Sequence, residues 1–467
     1  MQPARTRRAI GAGMIGNVLE WYDFAIYGFF AVEIGRQFFP HESQVAQLLA
    51  TFGVFAVGYL MRPLGGIAIG HVSDHYGRRA ALIVAITAMA VPTFLIGLLP
   101  GYAVLGIAAP ILLTMLRMVQ GLSLGGEHPS SMVFLVERAP ENRRGFMGGL
   151  AACGAIVGLL LGSATGALLA AVMSADALAE WGWRIPFIMG LGVGLVGNLI
   201  RRNIEETVPE RTGKSPAIVD TLRNHWRLVG RIAALAAFNA VPFYLLFVYL
   251  VSVMELDNGF TPAQALLINT ISMTALLPCM LLGAWLTDKV GRKPVLLFSI
   301  GMGFLTAWPL FTLMHQPDPV LVFAGQLGAA LFVGLFTSSF PALIVESTPA
   351  PVRCTAVALG YNLSIGIVGG LTPFIATLLV AYTDNPMAPA FMVMFAAAVA
   401  FTAVLTFKET LGQPLEGGMI STSHGGEADA EATTAAAAKA LREIAGEATG
   451  TAVDGSNSNA SGDIRAA

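Results

Sequence analysis

The chain has 467 residues, 55% of them hydrophobic and only 12% charged, with a formal net charge of −2. Soluble domains carry about 25% charged residues, so most of this chain has no aqueous surface to face. The near-neutral balance gives no reason to expect a nucleic-acid partner. The three cysteines (Cys153, Cys279 and Cys354) show neither pairing nor metal-ligand spacing, and we interpret them as packing residues.

Apolar runs of about 20 residues, separated by polar or Gly/Pro breaks, predict twelve transmembrane helices. In chain order the predicted spans are 10–39, 46–70, 80–99, 103–136, 145–173, 183–203, 229–254, 262–286, 294–314, 319–345, 353–382 and 387–407. An even number of spans places both termini on the same side. From Gly412 onward the composition changes to Ala, Gly, Ser, Glu and Thr, which predicts a disordered tail.

Lysine and arginine are distributed very unevenly between the two sides of the predicted membrane domain. Twenty of them lie at the termini or in connections on one side, and only Arg36 and Arg184 lie on the other. Because cytoplasmic loops are enriched in basic residues, both termini and the 204–228 loop are predicted to be cytoplasmic. We therefore expect a multi-pass protein of the bacterial cytoplasmic (inner) membrane.

Two motifs recur in the second half of the chain. Asp74-His75-Tyr76-Gly77-Arg78-Arg79 returns 214 positions later as Asp288-Lys289-Val290-Gly291-Arg292-Lys293. Val136-Glu137 with Arg144 returns 209 positions later as Val345-Glu346 with Arg353. Parallel repeats of this kind relate the two six-helix halves of some transporters.

The repeat predicts four regions. They are an N-terminal six-helix bundle over 1–203, a cytoplasmic loop over 204–228, a C-terminal six-helix bundle over 229–409 and a disordered cytoplasmic tail over 410–467.

An ordered set of motifs resembles the major facilitator superfamily, and specifically its metabolite:proton symporter branch. The set includes Gly16-Asn17-Val18-Leu19-Glu20-Trp21-Tyr22-Asp23-Phe24, Arg62-Pro63-Leu64-Gly65-Gly66, Arg117-Met118-Val119-Gln120-Gly121 and Trp181-Gly182-Trp183-Arg184-Ile185-Pro186-Phe187. The resemblance implies the twelve-helix major-facilitator fold. It also implies proton-driven uptake of a metabolite such as proline, betaine, α-ketoglutarate, citrate or shikimate.

Charged residues inside predicted spans are costly in a bilayer, and they persist where they are paired or line a cavity. The four candidates for proton coupling are Asp23, Glu127, Arg117 and Glu20. The alternative is that Glu20 and Asp23 only fix the first helix to its neighbours through ion pairs. We expect no comparable buried charge in spans seven to twelve.

The duplicated loop motifs are candidates for a cytoplasmic gate that closes by ion pairs between helix ends. The predicted gate residues are Asp74, Arg78, Arg79, Glu137, Arg144, Asp288, Arg292, Lys293, Glu346 and Arg353. Within each copy, the natural partners are Glu137 with Arg144 and Glu346 with Arg353. The alternative is a solvated turn that only follows the distribution of basic residues.

Polar residues in the spans supply candidates for substrate binding. These are Tyr22, Arg62, His128, Asn239, Tyr244, Gln326, Tyr361 and Asn362. Each of the neutral ones can equally serve as an interhelical hydrogen bond. As a group they favour a small polar or zwitterionic solute.

The leading hypothesis is a secondary active transporter that takes up a small zwitterionic or carboxylate metabolite with protons. The alternatives are a proton-coupled exporter or antiporter of similar fold, or a non-transporting membrane sensor that signals through the tail. An enzyme is disfavoured because no metal-ligand spacing, nucleophile motif or phosphate loop appears. We expect no cofactor and no metal, the lipid bilayer as surroundings, and a functional monomer.

Overall fold

A computed structural model describes residues 17–415 except residues 19, 24, 42, 77, 126 and 203–216. Residues 416–467 of the predicted tail and most of the predicted 204–228 loop lie outside the described residues, whereas residues 410–415, predicted to be disordered, are ordered and hydrogen-bonded to the helices. Within these ranges the chain forms helices and connections and no β-strand. The prediction of an all-α membrane protein is confirmed.

Twelve long helical segments follow one another in the predicted order within the described ranges, and a short helix, Ala217–Asn224, precedes the seventh. We label them α1 (17–38), α2 (44–76), α3 (Arg78–Leu98), α4 (Ala108–Glu137), α5 (Glu141–Val172), α6 (Arg184–Arg202), α7 (Trp226–Leu256), α8 (Pro262–Val290), α9 (Arg292–Met314), α10 (Pro319–Glu346), α11 (Ala350–Thr383) and α12 (Ala388–Thr406). In the described part of the chain, nine of them are long and apolar enough to cross a membrane, and the other three are α1, α3 and α6.

Local sequence accounts for where several helices begin and end. At the start of α8, Thr261 and Gln264 form a reciprocal capping box, and Pro262 occupies the first turn. Gly291, with φ of 118°, separates α8 from α9, and this backbone conformation is open mainly to glycine. Within α7 and α11, π-helical turns at Leu245–Tyr249 and Ser364–Gly369 interrupt the regular helix. Such turns often mark functional positions.

Glycines let α2 and α4 approach closely, as small residues do in membrane helices. A Cβ atom on Gly121 would collide with the carbonyl oxygen of Gly58, and one on Gly65 would collide with that of Leu122. In α5, Gly158 packs against the backbone of α1 at Val18. These positions leave no room for a larger residue.

The first six helices contact the second six through several pairs. The α5 helix packs along α8 and α10, α4 packs against α10 and α11, and α2 packs along α11. The α1 helix meets α7 where Gly28 faces Val248. The candidate site lies among these helices.

Candidate transport site

A small cavity lies where α1, α4 and α5 meet α7, α10 and α11. The volume that the centre of a water molecule can occupy inside it is about 30 Å³, which is enough for about two water molecules. It is lined by Trp21, His128, Met132, Ala152, Ala155, Ile156, Leu159, Asn239, Ala240, Phe243, Tyr244, Thr337, Phe340, Tyr361 and Ile365. Both halves of the chain therefore contribute to its wall, as expected for a site of alternating access.

Aromatic rings cross the cavity wall from one half of the chain to the other. The rings of Trp21 and His128 are 5.6 Å apart between centroids and meet edge to face. His128 is 5.3 Å from Tyr361, and Tyr361 is 6.4 Å from Phe340. Rings at these separations attract one another and offer π faces to a bound cation.

Two hydrogen-bonded pairs fix polar side chains beside the rings. The Thr337 hydroxyl donates to Asn239 Oδ1 over 2.8 Å, which links α10 to α7. The Tyr244 hydroxyl donates to that of Tyr59 over 2.8 Å, which links α7 to α2. These bonds hold Asn239 and Tyr244 in defined positions at the cavity.

Arg62 of α2 is fully buried close to the lining residue Trp21, and it contacts side chains of α1 and α11. Its Nη2 is 3.8 Å from Glu20 Oε1, and its Nε donates to Asn362 Oδ1 over 3.4 Å. The guanidinium carbon is 5.5 Å from the ring centroids of both Trp21 and Tyr59. Glu20 therefore pairs with α2, and Asn362 carries the network into the second half.

A second buried network contains Arg117 and approaches Asp23. Arg117 Nη1 donates to Gln120 Oε1 over 2.9 Å, and Gln120 Nε2 donates to the Thr93 hydroxyl over 2.7 Å. Asp23 and Thr93 both lie against Gly190 of α6. Asp23 Oδ1 is buried and has no hydrogen-bond partner among the described residues. The structure thus brings Asp23 and Arg117 into one neighbourhood, linked through Gln120 and Thr93.

The candidate residues divide into two groups. Of the eight candidates for substrate binding, His128, Asn239, Tyr244 and Tyr361 line the cavity. Tyr22, Arg62, Gln326 and Asn362 are buried but do not line it, and they bond to neighbouring helices instead. Asp23 and Arg117 lie outside the lining, and Glu127 is half-buried where α4 resumes after its break.

At one end of the bundle, charged side chains join the two halves. Glu137 Oε1 is 2.7 Å from Arg353 Nη1, and Arg144 Nη1 is 3.9 Å from Glu346 Oε1. The expected pairing within each copy is wrong, because the partners are exchanged between copies. Helix ends from opposite halves meet here, whereas the two members of one copy sit on either side of a turn.

Asp288 and Arg292 complete this end of the bundle. Arg292 donates two 3.0 Å hydrogen bonds to the Glu346 carboxylate and lies 3.2 Å from Asp288 Oδ1. Asp288 accepts from the backbone N–H groups of Gly145 and Phe146, each over 2.8 Å. Asp288 thereby caps the N-terminus of the long helix of α5, across the interface between the halves. We call Glu137, Arg144, Asp288, Arg292, Glu346 and Arg353 the charged end.

Buried charges in the second half of the chain lie at helix ends, at or beyond the bounds of the predicted spans. Arg292 is fully buried, and the side chains of Glu346 and Arg353 are 3% and 2% exposed. Their burial follows from pairing at helix ends, which apolar runs in the sequence do not reveal. The side chains of Asp74, Arg78 and Arg79 lie outside the described residues.

The segment after α12 bonds to the charged end, and nothing in the sequence indicated this contact. The Glu409 carboxylate accepts from the backbone N–H groups of Arg292 and Lys293, over 3.0 and 2.9 Å. Thr410 donates to Glu346, and the Gln413 carbonyl accepts from Arg144 over 2.8 Å. Lys293 also donates to the Phe407 carbonyl over 2.6 Å. We call residues 407–415 the strap.

Two family models match the chain. Residues 9–210 match the model described as Sugar (and other) transporter, and residues 232–423 match the model described as Major Facilitator Superfamily. Together the matches cover the helices that line the cavity.

Characterised relatives match over most of the chain. The Proline/betaine transporter of Salmonella typhimurium is 34% identical over 429 residues, which cover 88% of this chain and 85% of the relative. The Glycine betaine/proline/ectoine/pipecolic acid transporter OusA of Dickeya dadantii is 35% identical with the same coverage. Among solved structures, the proton:xylose symporter XylE superposes with a TM-score of 0.69 at 18% identity, covering 89% of this chain and 98% of that one.

Proposed function

Because this chain belongs to the major facilitator superfamily of membrane transporters, we propose that it takes up a small zwitterionic metabolite together with protons, by alternating access. The family predicted from the sequence is confirmed, and the protein is a multi-pass membrane transporter rather than an enzyme. Its relatives' names include proline, glycine betaine, ectoine and pipecolic acid, all of which are small zwitterions. We extend this substrate class to the present chain.

The observation that carries the proposal is the balance of charge at the cavity. Its described lining is rich in aromatic and polar groups and contains no Asp, Glu, Lys or Arg side chain. A ligand with two or three carboxylates, such as citrate, would need several cations to replace its hydration. A zwitterion needs fewer cationic partners from the protein, because its own positive and negative charges balance. The cavity therefore favours a betaine-like or proline-like solute over a polycarboxylate.

Proton coupling is assigned to Asp23 with Arg117, and Glu20 and Glu127 remain further candidates. A buried carboxylate linked to an arginine through Gln120 and Thr93 can change its charge when the helices around it move. The charged end would act as the gate, together with Asp74, Arg78 and Arg79. We place this end in the cytoplasm of a bacterial inner membrane, with both termini on that side, and expect a functional monomer.

The test is solute-induced alkalinisation of the medium around de-energised cells that express the protein. Betaine, proline, α-ketoglutarate, citrate and shikimate would each be added, with empty-vector cells as the control. A rise in pH with betaine or proline alone is the expected result. A rise only with citrate or α-ketoglutarate would contradict the zwitterion assignment.

The exporter and sensor alternatives predict no alkalinisation with any of these solutes. Deletion of residues 418–467 would then separate them, because a sensor that signals through the tail loses its function while an exporter keeps it. Export would be measured directly as solute loss from preloaded cells. Retained export by the truncated protein would exclude the sensor.

A further inference from the structure

Two buried nitrogen atoms in the cavity wall have no hydrogen-bond partner among the described residues. They are Nε1 of Trp21 and Nδ1 of His128. The two residues are 5% and 2% exposed, and both line the cavity. Buried polar atoms in native proteins are nearly always bonded, to protein or to something else. Trp21 and His128 adjoin each other in the wall of one cavity, so a ligand in that cavity is an available partner for both nitrogens.

The chemistry of the two nitrogens indicates what that partner is. An indole N–H can only donate a hydrogen bond, and a neutral imidazole can present a donor at either nitrogen. The two rings meet edge to face with centroids 5.6 Å apart, so both donors belong to one corner of the cavity, and a carboxylate has two oxygens that can accept from two donors. Arg62 adds positive charge nearby, with its guanidinium carbon 5.5 Å from the Trp21 ring centroid.

The rest of the wall suits the other end of a zwitterion. Tyr361 and Phe340 from the second half continue the series of rings, and Phe243 and Tyr244 line the same cavity. The faces of aromatic rings attract a quaternary or secondary ammonium group without burying a compensating carboxylate. A charged carboxylate opposite the ammonium would instead favour a simple cation as ligand.

We propose that Trp21 and His128 bind the carboxylate group of the substrate, while the rings of Tyr361, Phe340, Phe243 and Tyr244 bind its ammonium group. The proposal rests on the proposed function and adds the orientation of the solute: carboxylate towards α1 and α4, ammonium towards α7, α10 and α11. Because the present cavity holds only about two water molecules, the site must widen before a substrate of this class enters.

The test uses the full-length protein in proteoliposomes, with uptake of radiolabelled glycine betaine driven by an imposed pH gradient. Trp21→Phe keeps an aromatic ring but removes the N–H donor. A hydrogen bond to a charged group contributes enough that its loss should raise the KM for betaine about 10-fold or more. Choline has the same trimethylammonium group and no carboxylate, so its inhibition constant should stay within about two-fold.

Trp183→Phe is the matched control. Trp183 is also fully buried with an unbonded Nε1, but it packs against Phe38 and Phe187 outside the cavity. Its substitution should leave the KM for betaine unchanged. A second pair of variants covers the possibility that Trp21→Phe does not fold: His128→Leu removes the donor, whereas His128→Gln keeps one and should bind betaine more tightly than His128→Leu.

Three results would overturn the proposal. One is an unchanged KM for betaine in both Trp21→Phe and His128→Leu. Another is an equal loss of betaine and choline affinity, because that would indicate a change of cavity shape rather than a lost carboxylate contact. The third is wild-type protein that transports no zwitterion at all, which removes the proposed function as well. In the first two results the proposed function survives, so the two failures are distinguishable.

Discussion

Glu137 at the end of α4 forms an ion pair with Arg353 near the start of α11, with 2.7 Å between Oε1 and Nη1. Arg353 is 2% exposed at its side chain, whereas Glu137 is 38% exposed. The pair joins a residue of the first sequence copy to a residue of the second. If the charged end is the gate, we expect this ion pair to break when the two halves separate there.

Reversal of the Glu137 charge should therefore destabilise the closed arrangement. We expect Glu137→Arg to lower the initial rate of substrate uptake about five-fold or more, because it leaves Arg353 beside a like charge. The double variant Glu137→Arg with Arg353→Glu should recover a large part of the rate. Glu141→Gln is the control, since Glu141 is 63% exposed and pairs within its own half. A double variant no better than the single one would refute the gating role.

Close packing of α2 on α4 leads to a second prediction. Gly121→Ala places a methyl group against the Gly58 carbonyl oxygen, a backbone atom that cannot move aside cheaply. We expect a loss of about 3 kcal/mol or more, in the range of severe overpacking. Gly301→Ala, where no atom lies within 4 Å of the new Cβ, should be tolerated. Thermal melting of the two detergent-purified variants compares them directly, and equal melting temperatures would contradict the packing argument.

The strap leads to a prediction about pH. Burial raises the pKa of Glu409, but backbone N–H donors from Arg292, Leu411, Lys293 and Thr410 outweigh it, and the pKa lies below its usual value of 4.5. A depressed folded-state pKa contributes stability that is fully present above the unfolded value and is lost as pH falls through the folded one.

Glu409→Gln should therefore lower the melting temperature at pH 7 by about 2 °C, on the order of 1 kcal/mol, because partial exposure screens the hydrogen bonds. The difference from wild type should stay constant down to about pH 5.5 and shrink below the usual pKa of 4.5. Asp384→Asn is the control, at an exposed position with left-handed backbone that Asn also adopts. A difference that grew at low pH would contradict the assignment.

The fold was predictable because each transmembrane span is one continuous apolar stretch of the chain. Apolar runs and the repeated motifs of Asp74 and Asp288 can be recognised in the sequence without knowing how the helices rotate or which helix ends meet. The pairing of Glu137 with Arg353 was not predictable, because the two residues are 216 positions apart in sequence and meet only through the packing of α4 against α11. The same holds for the strap, whose partners lie on α5, α9 and α10.

The sequence also did not show which residues of a single motif face the cavity. Trp21 and Asp23 belong to one sequence motif, yet Trp21 lines the cavity while Asp23 lies against α3 and α6. Neighbouring positions on a helix point about 100° apart, so the choice of the functional residue depends on helix rotation. Charge favoured Asp23 and Glu20 in the sequence, whereas aromatic residues such as Trp21 and Phe340 are common in spans and were not singled out.

Asp23 remains the strongest candidate for coupling, and its substitution separates coupling from binding. We expect Asp23→Asn to abolish uphill accumulation driven by a pH gradient, since an amide cannot bind and release a proton. Exchange of labelled for unlabelled substrate should persist at no less than about half the wild-type rate, because Asp23 does not line the cavity. Both reactions would be measured in proteoliposomes.

The control for this experiment is Asp176→Asn, which removes an exposed carboxylate in the connection between α5 and α6. It should leave both accumulation and exchange unchanged. Full accumulation by Asp23→Asn would transfer the coupling role to Glu20 or Glu127, which the same pair of measurements can then examine. Loss of exchange together with accumulation would mean that Asp23 supports the fold around Thr93 and Gly190 rather than carrying the proton.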